Sequence, residues 1–112
     1  MNKKEIQAKR NDTQRAYHVP GMANFTKRKP NAVFISPGNS IEHEIGKLKV
    51  CYHLRKGKKD FITEAVENST GLRRDVVCLD DGQVYEIETT KKRAERHGPE
   101  IKVIKLWEEK KN

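Results

Sequence analysis

The stretch 73–92, RRDVVCLDDGQVYEIETTKK, limits what this chain can fold into more than any other. Residues 75–79 are apolar and β-branched enough for a buried strand. Asp80-Asp81-Gly82 follows as a tight-turn signal, because Asp and Gly tolerate the positive φ that such turns need. Residues 83–89 are the return strand, with Val84, Tyr85 and Ile87 as β formers. Side chains alternate along a strand, so Glu86 and Glu88 share one face and Tyr85 and Ile87 the other. Two carboxylates on one face of an apolar strand are costly unless solvated or liganded. Asp75, on the partner strand, can approach that face. A hairpin that gathers Asp75, Glu86 and Glu88 suits a hard divalent cation.

The flanking segments carry simpler signals. The span 39–56 reads as a helix, capped by Asn39 with Glu42 as the returning partner and stopped by Gly57. Ile41, Ile45, Leu48 and Tyr52 fall on one face and are the expected packing stripe. Gly46 weakens the helix by up to about 1 kcal/mol relative to Ala, but on a packing face it admits close approach of a strand. Glu44 borders the stripe, where a surface acid need not be; the plain alternative is an acid paired with Lys47 or Lys49. Residues 60–66 alternate as a strand, with Glu64 on it. Residues 90–97, TKKRAERH, read as a short basic helix stopped by Gly98-Pro99. The run 101–107 is a strand whose near-continuous apolarity predicts burial on both faces. The order is α-β-β-β-α-β, an α/β fold with a mixed sheet flanked by helices.

Charge is unevenly spread. The chain has 112 residues and a net charge of +8. Residues 1–38 hold eight Lys/Arg against two acids, a net +6, while the remainder holds sixteen against fourteen, a net +2. This first segment is broken by Pro20, Pro30 and Pro37 and shows no sustained periodicity. It reads as a basic, partly flexible arm. Lys27-Arg28-Lys29 is its compact cluster, and Val33-Phe34-Ile35 is expected to dock on the core or extend an edge. A basic excess favours polyanions, nucleic acid first.

Several classes are set aside. No apolar run approaches the ~20 residues that span a bilayer, and no signal-peptide core follows the first lysines, so a cytoplasmic location is expected. Cys51 and Cys78 lie inside apparent core elements and read as small buried hydrophobes. The spacing of Cys and His fits no structural zinc site.

At the hairpin the chain resembles the PD-(D/E)xK nuclease superfamily, most closely its archaeal Holliday-junction resolvase branch. Arg74-Asp75 stands where the family has Pro-Asp. Glu88-Thr89-Thr90 stands for Glu-x-Lys, with Thr90 at the lysine position. Glu86-Ile87-Glu88 matches the Glu-x-Glu variant of some restriction enzymes. The resemblance spans roughly 39–107 and implies a restriction-endonuclease-like core there, with 108–112 as a polar tail. It implies that Glu44, Asp75 and Glu88 hold Mg²⁺ or Mn²⁺, with Glu86 as an alternative ligand. Thr90 and Lys91 are the groups nearest the family lysine's task, and Lys92 or Glu86 can stand in. Arg73, Arg74, Lys92, Arg93 and Arg96, together with Lys27, Arg28 and Lys29, are the expected phosphate contacts.

The function so implied is metal-dependent hydrolysis of DNA phosphodiester bonds, on branched or repair substrates. The alternatives are a nuclease-fold binding module without activity and a small basic RNA-associated protein. The last has no use for clustered acids, and most of the seven Phe, Tyr and Trp residues sit in core elements rather than on a stacking surface. Resolvase-like relatives act as two-fold dimers, so a homodimer is expected, with Val33 to Ile35 and Leu106-Trp107 as its candidate surface.

Overall fold

The computed structural model describes residues 1–109. Its elements in chain order are α1 (Lys3–Arg15), β1 (Tyr17–His18), α2 (Ile41–Lys56), β2 (Phe61–Glu67), β3 (Arg73–Cys78), β4 (Val84–Glu88), α3 (Lys91–Ala94), β5 (Ile101–Lys105) and α4 (Leu106–Glu109). The five strands form one mixed sheet in the order β1-β2-β3-β4-β5. The first three pairings are antiparallel and β4–β5 is parallel, joined by the crossover through α3. The turn between β3 and β4 uses Gly82 at φ 78°, the conformation that its Asp-Asp-Gly sequence favours. From α2 to β5 the expected α-β-β-β-α-β order is present in a mixed α/β fold. Among the described residues, no helix is long and apolar enough to cross a membrane.

Two apolar clusters sandwich the sheet. One joins α2 and α4 to it through Cys51, Leu54, Phe61, Val76, Cys78, Ile87 and Leu106. The other, on the opposite face, gathers Tyr17, Ile62, Ala65, Val77, Leu79 and Val84. Both cysteines are free and buried. Burial pushes their thiols up to about 12 at Cys51 and about 11 at Cys78, which makes them inert packing groups.

The structure corrects the sequence reading of α2. Its apolar stripe faces outward: Ile41 is 75% exposed, Ile45 47%, Leu48 54% and Tyr52 59%. The face turned to the sheet carries Gly46, Lys47, Cys51 and Leu54. Gly46 decides the docking, because a Cβ there would stand 3.0 Å from Ile87 Cγ2 and 3.1 Å from Leu106 Cδ2. The backbone of α2 thus lies against β4 and α4 more closely than a larger residue would permit. The helix also starts one residue later than expected. Ser40 is its cap, with Oγ accepting from the His43 N–H at 3.1 Å, while Asn39 is drawn to Glu44.

Two further expectations change. β5 is not buried on both faces; it is the sheet edge, with Lys102 and Lys105 exposed. Leu106 leaves the strand to start α4 and enters the core. The N-terminal segment forms α1 and β1 instead of an irregular arm. No residue of α1 is buried, so it has no apolar period to read. Polar contacts hold it: Arg10 pairs with Asp80 at 2.9 Å and Asp60 at 3.3 Å. Val33 and Ile35 are exposed, and Phe34 between them is half-buried, docked by its backbone N–H on Thr63 Oγ1. Of the tail expected at 108–112, Glu108 and Glu109 belong to α4, and residues 110–112 lie outside the described residues.

The tight seat of Gly46 is testable. Gly46→Val forces a branched side chain against Ile87 and Leu106. A loss of about 1–3 kcal/mol is expected from overpacking, read as a lower urea midpoint with an unchanged slope.

Candidate functional site

The site begins with a fault in the sheet. Ile62 and Ala65 are three residues apart and would face opposite sides of a regular strand, yet both pack in one cluster. Between them Glu64 takes φ 53°. This left-handed backbone costs a non-glycine residue on the order of 1–3 kcal/mol. The β2–β3 ladder pairs Thr63 with Val76 and Ala65 with Arg74, and skips Glu64 and Asp75. β3 breaks its alternation at the same place. Val76 packs toward α2, while Arg74 reaches Glu67 and Glu86. The paired irregularities bring Glu64 and Asp75 out of the ladder and toward α2.

Lys47 meets them from the helix. Its side chain is fully buried at 0% exposure, and Nζ lies 2.7 Å from Glu44 Oε2 and 3.7 Å from Glu64 Oε2. Nζ also donates to the Phe34 carbonyl at 2.6 Å. Burial alone would raise the Glu44 carboxyl. Hydrogen bonds from Lys47, Asn39, His43 and the Ser36 N–H outweigh it and bring the group to about 2. Glu64 is less well served: burial raises it despite Lys47, and its Oε2 makes no hydrogen bond.

His43, which the sequence reading passed over, links this cluster to the hairpin. Its Nδ1 is 3.0 Å from Glu44 Oε1 and its Nε2 is 3.2 Å from Asp75 Oδ2. The hydrogen bond to Asp75 raises the imidazole above its ordinary range against the effect of burial, with Glu44 adding to it. Both ring nitrogens then donate. Asp75 Oδ2 also accepts the Ile87 N–H at 2.8 Å. Burial would raise Asp75, but His43, Glu86 and the Ile87 N–H hold it below its usual value. Glu86 goes the other way. Burial, then the charge of Asp75 and the hydrogen bond to it, push Glu86 up to about 9. Neighbouring carboxyls in a confined place are pushed apart in this way, and Arg74, 3.6 Å from Glu86 Oε1, offsets only part of the rise.

A polar cleft of about 300 Å³ opens over this pair, lined by Ser40, His43, Asp75, Glu86, Glu88 and Arg93 among others. Asp75 and Glu88 therefore look into one cleft. Glu88 is already engaged, 2.6 Å from His97 Nε2. Glu44 does not reach Asp75 directly, since the imidazole of His43 stands between them. Among the described residues, no three His, Cys, Asp or Glu side chains are grouped to hold a metal ion.

The remaining expected site residues divide. Arg93 lines the cleft and is exposed, and Lys92 and Arg96 are exposed nearby in sequence. Lys91 lines a different cleft, with Val103, Lys105 and Trp107. Thr90 caps α3, its Oγ1 accepting the Arg93 N–H. Arg74 is buried against Glu67 and Glu86 rather than turned to solvent. Arg28 is turned inward too, donating to the carbonyls of Thr63 and Glu64 and lying 4.2 Å above the Phe34 ring. Lys27, Lys29 and Arg73 remain exposed. The signal that marks His43 is its place beside Glu44, in the first turn of a helix whose next turn carries Lys47. The three residues occupy 43, 44 and 47, which is one side of a helix.

No family model, curated protein or solved structure matches this chain.

Two outcomes follow from these contacts. Lys47→Met removes the buried cation between Glu44 and Glu64, leaving His43 beside Glu44 and the exposed Arg73 3.7 Å from Glu64. A loss of about 3–5 kcal/mol is expected for removing one member of a buried ionic cluster. Adding Glu64→Gln should recover part of it, a coupling that a double-mutant cycle measures. Glu86 keeps its proton in the folded state up to about 9, whereas an ordinary carboxyl releases it near 4.5. The folded state thus binds the extra proton between these values, and stability falls as pH rises through that window. Glu86→Gln should flatten this slope in urea titrations, and an unchanged slope would show that Glu86 is not the group responsible.

Proposed function

We propose that this protein is a metal-dependent endonuclease that hydrolyses DNA phosphodiester bonds in the cytoplasm, built on a PD-(D/E)xK-like core. The observation that carries the reading is the cleft that brings the carboxyl groups of Asp75, Glu86 and Glu88 together with His43 and Arg93 on one lining. Neighbouring carboxyls in a confined place favour positive charge beside them. Mg²⁺ needs only one or two protein carboxylates and takes its other ligands from water and substrate phosphate. The pair fits that demand, with Glu88 in the same cleft. Glu44, saturated by its four donors, serves as a support and not a ligand.

Bound there, such an ion would supply Lewis acidity and an activated water. The chain's own groups do the rest. His43 and the Ile87 N–H fix the Asp75 carboxylate in place. Arg93 offers paired donors to a phosphate entering the cleft, and the exposed Lys92 and Arg96 add to the attraction for a polyanion. The acid–base groups on the cleft lining are His43 and the carboxyls of Asp75, Glu86 and Glu88. A two-fold homodimer belongs to the proposal, because two related sites can cut two strands.

One observation favours a second reading, a nucleic-acid-binding module without activity: Lys47 is sealed in the core, and Lys91 lines another cleft. Among the described residues that line the cleft there is no lysine.

The test is cleavage of linear duplex, single-stranded and branched DNA with Mg²⁺ or Mn²⁺. Cleavage of at least one substrate is expected, with Asp75→Asn abolishing it while DNA binding persists. Arg93→Ala should weaken binding and lower the salt slope by about one. DNA binding without cleavage of any substrate would replace the enzyme reading with the second one.

A further inference from the structure

A second cleft lies at the other end of α2. His43 lines the carboxyl-rich cleft and His53 lines this one, about 15 Å away along a helix that rises about 1.5 Å per residue. The second cleft has a volume of about 290 Å³, which is the scale of a small-molecule site. Its floor is the edge of the core that α2 makes with the sheet. Leu54 is buried there, and Val50, Tyr85 and Ile104 are half-buried against it.

The rim has a different character. His53, Lys59 and Lys102 are exposed on it, and among the described residues that line the cleft there is no carboxylate. Lys102 Nζ lies 5.8 Å from the centre of the Tyr85 ring and forms no ion pair among the described residues. Lys59 is held only loosely, 3.9 Å from the exposed Asp81. The end of α2 adds no bare acceptors, because the His53 and Leu54 carbonyls accept the Gly57 and Lys59 N–H groups at 3.1 and 2.9 Å. A cationic rim over an apolar floor suits an anion with an apolar body. The carboxyl-rich cleft is the opposite case.

The rings narrow the ligand further. His53 brings an imidazole from α2, and Tyr85 brings a phenol from β4. Nucleobases stack on side chains of both kinds. Tyr52 meets the His53 ring in a T-shaped contact, which leaves at least one imidazole face free. We infer that this cleft binds a nucleobase with its phosphate, the base against Tyr85 and His53 and the phosphate on Lys59 and Lys102. A base inside a duplex is stacked on both faces, so the ligand is an unpaired nucleotide of a strand or a free mononucleotide. The inference stands on this cleft alone and does not depend on cleavage at the other.

Chemical-shift mapping on isotope-labelled protein without divalent metal tests it. The probes are deoxyadenosine monophosphate, adenosine, inorganic phosphate and a single-stranded oligonucleotide. Saturable shifts are expected at Leu54, Gly57, Tyr85 and Lys102. The nucleotide should bind about tenfold more tightly than adenosine or phosphate. Lys102→Glu should weaken it about tenfold as well, and His53→Ala several-fold, with each variant's own spectrum confirming its fold. The oligonucleotide identifies the source. Tighter binding than the mononucleotide at the same residues assigns the cleft to a strand, and weaker or equal binding assigns it to the free nucleotide. Adenosine or phosphate binding as tightly as the nucleotide leaves only an apolar slot or a cationic patch and overturns the inference. Absence of saturable shifts at these residues with every probe overturns it too. Binding unchanged in both variants overturns the assigned residues. Asp75→Asn should leave these shifts as they are in the wild type, and their loss in that variant would move the ligand to the carboxyl-rich cleft and overturn the site.

Discussion

The buried ammonium of Lys47 is the contact on which the rest of the site hangs. It enters the core from α2 and meets Glu44, Glu64 and the Phe34 carbonyl, each on a different part of the chain. A buried ionic cluster adds little net stability over an apolar core of the same shape, because desolvation cancels most of the attraction. Its effect is on specificity. Any packing of α2 that separated Lys47 from Glu64 and the Phe34 carbonyl would leave charges poorly paired away from water, at a cost of several kcal/mol. The helix is therefore pinned in rotation. Gly46 faces Ile87 and Leu106, and the row from Ile41 to Tyr52 is turned outward.

From that anchor the geometry passes along the chain to the cleft. Glu64 reaches Lys47 through a left-handed backbone, and that irregularity frees Asp75 from the ladder. Asp75 is then within reach of His43 and the Ile87 N–H. With two or more donors on it, Asp75 keeps its charge, and Glu86 beside it keeps a proton. Two carboxyls of the same hairpin are thus shifted in opposite directions, Glu86 upward by burial and by the charge of Asp75, and Asp75 downward by His43 and the Ile87 N–H. The strain at Glu64 lies directly beside the cleft, which is where strained backbone tends to gather in functional proteins.

Local chemistry made part of this readable in advance. The β3–β4 hairpin follows from β-forming runs around Asp-Asp-Gly, and the sharing of a face by Glu86 and Glu88 follows from strand alternation. The stop at Gly57 and the inert cysteines follow in the same way. Asp75 and Glu86 were both singled out from the hairpin alone. Other residues were misread because their roles depend on partners distant in sequence. Arg74 is a strong phosphate-binding type in isolation, but Glu67 and Glu86 draw it inside. Thr90 stands at a catalytic position in the resemblance, yet its hydroxyl is taken by the first turn of α3. α1 has no apolar period, and Asp60 and Asp80, far along the chain, hold it through Arg10.

By itself, the sequence determined the order of elements from α2 to β5, the turn and the acidic hairpin, since these rest on propensities and periods within a few residues. Only the tertiary structure decided which face of α2 is inside. Both faces are apolar enough to pack, so periodicity cannot choose between them. The choice is made by a glycine that lets the helix come close and by a lysine whose charge has partners on one side only. The same is true of the site. Asp75, Glu86 and His43 belong to three separate positions along the chain, and their hydrogen bonds exist only once β3 breaks its alternation beside α2.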